Sequence, residues 1–291
     1  IDCPPPNGST HRFALTYAIP HTVPSGRAEP IAFMRERLLP AVTEAVKRED
    51  GRDTFWYGNF LRDEGGQGSG WITYTHHPRF GGNYRGLANR LDLLLETYAY
   101  LDFYDRVHTT YAFLREALAY VAAHGEEIVE LLAGCEMPPD EIAVRYGLEA
   151  FPDREVEILT REPYTLEGEP VAVKVPYIGR FVGEHVVQRP IAYAVPGGIA
   201  RRLEGHGLVV ERPPVSLLLD AEIGTVTASG SSAGREILEA DASPFVEAEY
   251  ERGKRELPDG WALVRTEQQR GAVAVYLCGA GSDGGMLACG W

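Results

Sequence analysis

A short apolar run near the middle of the first half constrains the fold most. Residues 91 to 95 read LDLLL, and the run ends abruptly on the carboxylate of Glu96. A run of this length behind a glycine-containing loop is typical of a buried strand. Because α/β folds place ionisable groups of functional sites at strand ends, Glu96 is a candidate functional residue. An exposed glutamate at a strand terminus is the commoner alternative.

Helical patterns lie on both sides of this strand. Residues 28–50 carry an apolar face at steps of three and four residues, made of Ile31, Met34, Leu38, Val42 and Val46. We expect Gly51 to end this helix and Pro40 to kink or split it. Residues 105–132 predict a second long amphipathic helix, with Gly125 as a candidate break.

Strand patterns dominate the rest of the chain. In the first half the segments DTFWYGNFL and GWITYTHH are strand-like. After a composition change near residue 150, the predicted strands are PVAVKVPYIG, RPIAYAVP, GLVVERP, GTVTAS, WALVRT and GAVAVYLCG. A short helix, GIARRLEGHG, between IAYAV and GLVV predicts a small β-α-β unit. We therefore expect two units, residues 1–150 and a β-rich unit of residues 151–291.

Charge and hydropathy exclude two classes of partner. The 291-residue chain has a formal net charge of -14, and its pI is near 5.1. Binding to nucleic acid needs a surplus of lysine and arginine on one face, so we expect no nucleic-acid partner. No apolar run approaches the roughly 20 residues of a membrane-spanning helix, so we expect no membrane span. The sequence predicts no oligomeric state.

Metal-binding patterns are sparse. The four cysteines form no C-x-x-C pair. One H-x-x-E pair occurs, His124 with Glu127, but its surroundings indicate the solvent-exposed end of a helix. His76 and His77 are adjacent, and neighbouring side chains on a strand point to opposite faces, so at most one is expected to face a cleft. The other histidines have no partner at ligand spacing.

Other active-site signatures are missing from the sequence. It contains no G-x-S-x-G elbow and no phosphate-binding G-x-x-x-x-G-K-[ST] loop. The glycine-rich segments GQGSG and GAGSDGG lack the G-x-G-x-x-G spacing between a strand and a helix that a dinucleotide site requires. Nucleotide binding through these motifs is therefore not expected.

Several blocks together resemble a known family. They are NGSTHRFALTYA, FMRERLLPAV, TFWYGNF, HHPRFGGNYRGLANRLDLLLETYAYLDFYDRV and VAVYLCGAGSDGGMLACGW. The chain resembles the second half and C-terminal extension of bacterial zinc carboxypeptidases of the carboxypeptidase A type. The most specific block, NYRGLANRLDLLLETYAY, is similar to the family's G-L-R-N-R strand before its catalytic glutamate, with Ala88 in place of an arginine.

The resemblance implies a fold and an activity. Residues 1–150 would be the C-terminal half of a catalytic domain, a partial α/β/α sandwich around a mixed sheet, followed by a smaller β-rich α+β unit. The family releases C-terminal residues from peptide substrates with a zinc cofactor. Glu96 would be the general base, acting on water bound to zinc. Tyr84, Arg79 and Arg90 are candidate substrate contacts, although packing for the tyrosine and salt bridges for the arginines are the alternatives.

The zinc ligands of the family are not found in this sequence. Its H-x-x-E pair belongs to a first half that would lie upstream of Ile1. Where the family has D-L-H-T-T-N-G-S, residues 2–9 read DCPPPNGS, so Pro4 stands in the place of the third ligand. Cys3 is one position away, and a lone thiolate does not hold zinc. A compensated reading-frame error is our hypothesis for residues 3–6, and a degenerate active site is the rival.

Three functions follow as expectations. The first is a metallocarboxypeptidase represented by a fragment that is inactive alone. The second is a zinc-dependent deacylase of the same superfamily. The third is a catalytically inactive relative that binds peptides.

Overall fold

The computed structural model describes residues 10–62, 68–231 and 244–290, and this part of the chain is mixed α/β. In chain order the strands are β1 (Leu15–Ala18), β2 (Thr54–Trp56), β3 (Asn59–Arg62), β4 (Gly68–Ile72), β5 (Leu94–Thr97), β6 (Glu141–Glu162), β7 (Glu169–Gln188), β8 (Ala192–Pro196), β9 (Leu218–Ser231), β10 (Pro244–Glu256) and β11 (Trp261–Arg265). The helices are α1 (Ala28–Phe33), α2 (Leu39–Asp50), α3 (Gly81–Leu87), α4 (Phe103–Ala123), α5 (Gly125–Gly134), α6 (Gly197–Gly205) and α7 (Gly271–Cys278).

The strand that carries Glu96 belongs to a three-stranded mixed sheet in the order β2-β1-β5. β1 runs parallel to β2 and antiparallel to β5, and Thr16 lies opposite Glu96. Side chains alternate between the two faces of a strand. Leu15, Tyr17 and Leu95 therefore share one face, where they pack in a core with the helices. Glu96 lies on the other face.

The first helical region is divided as Pro40 predicts. α1 leads into a π-helical stretch, Met34–Leu38, and α2 begins directly after it. Proline has no N–H to bond the carbonyl one turn earlier, and its ring needs room there, so a wider turn before Pro40 accommodates both. Gly51 ends α2 in the left-handed conformation, with φ +67°, and its N–H bonds the Lys47 carbonyl. The predicted break at Gly125 is also confirmed, between α4 and α5.

The helices cover one face of the β2-β1-β5 sheet. This core contains residues from α1, α2, α4 and α5 together with β1 and β5: Leu15, Tyr17, Ile19, Ile31, Phe33, Met34, Leu38, Leu39, Val42, Val46, Leu95, Phe113, Ala117 and Ile128. The apolar stripe predicted for residues 28–50 is therefore the buried stripe, and burial of each large aliphatic side chain contributes about 1.5–3 kcal/mol.

A second sheet joins the two halves of the chain, in the order β3-β4-β7-β6. β6 and β7 form a long antiparallel hairpin, and β7 pairs in parallel with β4 through Trp71 and Tyr177. Both of these side chains are buried in a shared core with Phe13 and Ile158. Residue 150 lies inside β6, so the proposed unit boundary falls within a strand of this sheet. The division into two units stays a prediction.

Two segments of the C-terminal region that were predicted as strands are not strands, and β10 was not predicted. β8 and β11 pair antiparallel, and α6 packs against both. The segment GLVV after α6 is not a strand, so the predicted β-α-β unit is wrong there. GAVAVYLCG was predicted as a strand and forms α7 instead. Residues 271–276 of α7 are all buried, and a helix that is apolar on every side has no amphipathic period that distinguishes it from a buried strand.

The remaining strands, β9 and β10, form a separate antiparallel hairpin with mostly exposed side chains. In the described part of the chain, no helix is long and apolar enough to cross a membrane.

Close packing at Gly86 supports a first test of the fold. A Cβ atom at this position of α3 would overlap Pro20 Cβ and Thr22 Oγ1. We expect Gly86→Ala to lower the free energy of unfolding by about 1–3 kcal/mol, because the rigid Pro20 ring cannot move aside. Urea denaturation measures the change.

Gly125→Ala is the matched control. Nothing lies within 4 Å of a Cβ atom at Gly125, which begins α5. Its replacement should leave stability unchanged or raise it by up to about 1 kcal/mol, because alanine loses less backbone entropy on folding. Equal destabilisation by both substitutions would contradict this packing at Gly86.

Candidate functional site

Glu96 is half-buried on β5, on the face of the sheet that the helices leave uncovered. The adjacent Leu95 and Thr97 are buried on the opposite face, at 2% exposure each. This alternation fixes the direction of the Glu96 side chain, because a one-residue shift would bury the carboxylate in the helical core. The apolar run that predicted the strand therefore also determines where its carboxylate points.

Tyr74 is the neighbour that gives Glu96 a chemical context. It follows the end of β4, and its ring contacts Tyr57, Phe80 and His21 at centroid distances of 5.6, 5.1 and 4.4 Å. Burial raises the pKa of the Tyr74 phenol, and the negative charges of Asp92 and Glu96 raise it further. A tyrosine phenol is protonated at neutral pH in any case, and Tyr74 can therefore donate a hydrogen bond.

Asp92 adds a second carboxylate to this region. Its carboxylate and the Tyr74 hydroxyl both lie next to Gly82 at the start of α3. Arg85 donates a hydrogen bond from Nε to Asp92 Oδ2 and neutralises that charge. The site therefore combines an ion-paired Asp92, a protonated phenol and the half-buried carboxylate of Glu96.

This arrangement suits proton transfer. A carboxylate can accept a proton from water, and a nearby phenol can donate a hydrogen bond to a developing negative charge on a substrate. The rings of Tyr57 and Phe80 beside Tyr74 limit the access of water from that side. We define Glu96, Tyr74 and Asp92 as the candidate site.

The other residues predicted to contact substrate lie at different places. Arg79 is exposed, and its guanidinium lies 5.2 Å from the centroid of Phe80, the ring that contacts Tyr74. Arg90 is exposed after α3, beyond the left-handed residue Asn89. Tyr84 donates or accepts a hydrogen bond with His206 Nδ1 at 2.9 Å. Its ring packs in a cluster with Leu87, and the substrate contact predicted for Tyr84 stays a prediction.

A separate buried cluster brings together His76, His77 and Asp283. All three side chains are less than 9% exposed. His76 Nε2 lies 2.9 Å from Asp283 Oδ2, and its ring stacks on Tyr146 at a centroid distance of 4.1 Å. The segment containing both histidines is not a strand, so the rule of opposite faces does not apply to it. The expectation that at most one histidine faces inward is therefore wrong.

Asp283 remains charged despite its burial. Burial acts to raise its pKa, but hydrogen bonding and charge from His76, together with a hydrogen bond from the Tyr276 hydroxyl, hold the pKa below its ordinary value. The Tyr146 N–H donates a further bond to Asp283 Oδ2 at 3.2 Å. The buried carboxylate is thus satisfied by polar groups from three segments of the chain.

The donor types of this cluster match those of a divalent metal site, and the three candidate ligand atoms lie within 4.8 Å of one another. His76 is at hydrogen-bond distance from Asp283, and the Asp283 oxygens also accept hydrogen bonds from Tyr276 and Tyr146. A metal ion bound here would have to displace hydrogen bonds that the cluster already makes.

The other metal-binding candidates from the sequence are the His124–Glu127 pair and Cys3. His124 Nδ1 and Glu127 Oε2 are 3.3 Å apart on the surface, and Arg37 also pairs with Glu127. His124, Glu127 and Arg37 therefore form a partly exposed ion-pair network, in agreement with the solvent-exposed helix end that the sequence indicated. Cys3 and Pro4 lie outside the residues that the structure describes.

Sequence reasoning missed Tyr74 and Asp283. Tyr74 lies inside the predicted strand GWITYTHH, and the observed strand β4 ends two residues before it. Asp283 lies 207 residues from His76 along the chain. No local pattern links such distant residues, and the glycine-rich segment around Asp283 indicated only a loop.

Comparison with known proteins adds no relative. No family model matches the chain, and no curated protein or solved structure matches it either.

The buried cluster around Asp283 generates a stability prediction. Asp283→Asn removes the charge that faces His76, so we expect the free energy of unfolding at pH 7 to fall by about 2–4 kcal/mol. A group whose pKa is lowered by folding contributes stability above its unfolded pKa and loses it as the pH falls. The difference between the two proteins should therefore shrink below about pH 4.

Asp140→Asn is the control for this measurement. Asp140 pairs with Arg189, but its side chain is 88% exposed. Its loss should change stability by less than about 1 kcal/mol at either pH. A pH-independent difference between wild type and Asp283→Asn in chemical denaturation would contradict the role given to the Asp283 charge.

Proposed function

We propose that this chain carries the glutamate-bearing half of a zinc-dependent metallocarboxypeptidase, a hydrolase that releases C-terminal residues from peptides. In this proposal the described part is one section of an α/β/α sandwich, and the 291 residues alone are inactive. The observation that carries the proposal is the half-buried position of Glu96 on the face of a mixed sheet that is opposite its helices, close enough to Tyr74 for its charge to raise the pKa of that phenol.

Glu96 would act as the general base. Its carboxylate would take a proton from the attacking water and later return a proton to the leaving amine. Its half-buried position favours this role, since a fully exposed carboxylate is a weak base and a fully buried one cannot reach substrate. Polarisation of the scissile carbonyl is the chemistry that a bound zinc ion supplies in such enzymes.

Tyr74 would orient the substrate next to this base. The raised pKa of its phenol keeps the hydroxyl proton in place, so it can donate to a peptide carbonyl or to the terminal carboxylate. Arg79, at the Phe80 rim of the same region, could attract the negative end of the peptide. Asp92 would be a positioning residue, because Arg85 neutralises its charge beside the phenol.

The proposal predicts the effect of replacing Glu96. In the product of the complete gene, Glu96→Gln should lower kcat for a peptide with a free C-terminal carboxylate by about 10²–10⁴-fold, with KM nearly unchanged. Glu157→Gln, an exposed glutamate on β6, is the matched control and should keep full activity. Wild-type activity in the Glu96 variant, or equal hydrolysis of amidated and free peptides, would overturn the assignment.

The second prediction concerns the 291-residue chain itself. We expect less than one equivalent of tightly bound zinc by elemental analysis, together with negligible peptidase activity, because the described histidine and aspartate cluster is closed by its own hydrogen bonds. One equivalent of zinc per chain would contradict this account of the cluster.

An inactive peptide-binding relative is the second candidate. The hydrogen bonds around Asp283 favour it. Among the described residues the only group of three metal donors is His76, His77 and Asp283, and Asp283 is already hydrogen-bonded by its neighbours. Elemental analysis of the complete gene product separates the two candidates. An enzyme requires stoichiometric zinc there, and a binding protein does not.

A further inference from the structure

A cleft of about 450 Å³ lies between the first helical region and the edge strand β2. Its wall includes Tyr17, Leu39 and Trp56. Tyr17 is on the helix-covered face of the β2-β1-β5 sheet, whereas Glu96 is on the other face. The cleft is therefore separate from the candidate site, and nothing in the proposed hydrolysis uses it.

The guanidinium of Arg35 dominates this cleft. It lies 4.8 Å from the ring centroid of Trp56 and 5.4 Å from that of Phe151. Burial lowers the pKa of Arg35, and the charge of Arg154 acts in the same direction, while Tyr177 and Glu36 oppose the shift. Even so, arginine remains protonated in proteins at neutral pH. Arg35 is thus a largely desolvated cation held between aromatic rings.

Arg35 lacks an acceptor in the part of the chain that the structure describes. It makes no hydrogen bond or ion pair to a described residue, and its Nη1 atom is buried without a partner. Thr54 Oγ1, on the same cleft wall, is also buried and unpartnered. Buried polar groups are nearly always hydrogen-bonded, so two such groups in one cleft indicate a missing acceptor.

A second cation lies over one of these rings, that of Phe151. Arg154 lines the cleft, is exposed, and lies 5.4 Å from the centroid of Phe151. It likewise has no acidic partner among the described residues, unlike the other two cations of the cleft. Lys47 pairs with Asp53 at 2.8 Å, and Arg52 pairs with Asp105 at 2.7 Å. The two unpaired guanidinium groups are therefore the ones that share an aromatic ring.

The charge of the cleft contrasts with that of the protein. Four basic and two acidic side chains line it, which gives a net charge of +2 within a chain of net charge -14. Like charges repel, and Arg35 and Arg154 are close enough for each to affect the other. Without a bound anion this arrangement is unfavourable, and an anion between the guanidinium groups would relieve it.

The helix geometry at Arg35 agrees with a functional position. Arg35 is the second residue of the π-helical stretch Met34–Leu38. Such single π turns within α-helices occur frequently at functional sites, because the widened turn redirects a side chain. Pro40 explains why the turn exists, and the turn brings Arg35 against Trp56 and Phe151.

We propose that this cleft binds a small organic phosphate with an aromatic or apolar body. Guanidinium groups bind phosphate through paired N–H donors, and a phosphate monoester carries about -1.5 to -2 charges at pH 7, close to the charge of the cleft. The volume exceeds that of inorganic phosphate alone. The half-buried ring of Trp56 supplies a surface for the attached group.

Isothermal titration calorimetry on the 291-residue chain tests the proposal with phenyl phosphate as the probe. We expect one site per chain, with weaker binding of benzoate, which has a single charge, and of inorganic phosphate, which has no ring. Arg154→Gln and Arg35→Gln should each weaken phenyl phosphate binding by about tenfold or more, because each removes charge-assisted hydrogen bonds. Arg180→Gln, which removes an exposed arginine paired with Glu149, is the control and should bind normally.

A thermal measurement separates binding from folding. Arg35→Gln should unfold at the same or a higher temperature without ligand, because it removes an unpaired buried charge, and phenyl phosphate should no longer stabilise it. Arg154 is exposed, so its variant tests the site even if the Arg35 variant does not fold. Absence of binding at millimolar phenyl phosphate, unchanged affinity in the Arg154 variant, or tighter binding of benzoate would overturn the proposal.

Discussion

The antiparallel pairing of β1 with β5 is the interaction on which the rest of the structure depends. It places Leu15, Tyr17 and Leu95 on one face, where burial against the helices stabilises the first half of the chain. The same pairing turns Glu96 to the opposite face. One hydrophobic constraint therefore determines both the core and the direction of the carboxylate, because strand side chains alternate.

This division of the sheet also separates the two proposed functions. The face away from the helices carries Glu96 near Tyr74, and both carboxylates around the phenol favour its protonated form. The helix-covered face borders the cleft that contains Arg35 and Trp56, and this cleft carries a net positive charge. An acidic region and a basic cleft on opposite faces can act independently, since neither needs the other's residues.

Sequence patterns predicted the parts of the fold with strong local signals. The amphipathic stripe of residues 28–50, the effect of Pro40 and the end of the helix at Gly51 are all confirmed, because each depends on neighbours within one or two turns. α7 was predicted wrongly, since it is buried on all sides and has no amphipathic period. The contact of Asp283 with His76 depends on the tertiary fold alone. Of the candidate site, Glu96 was predicted from the sequence. The proximity of Tyr74 to Glu96 depends on the tertiary arrangement of β4 and β5.

The central claim is that peptides bind on the Glu96 face. Hydrogen–deuterium exchange of the protein carrying Glu96→Gln, with and without a peptide that has a free C-terminal carboxylate, tests it most directly. The account predicts slower exchange in residues 73–80 and 92–97, with no change in residues 54–56 beside the cationic cleft. Protection confined to residues 54–56, or no protection at saturating peptide, would contradict it.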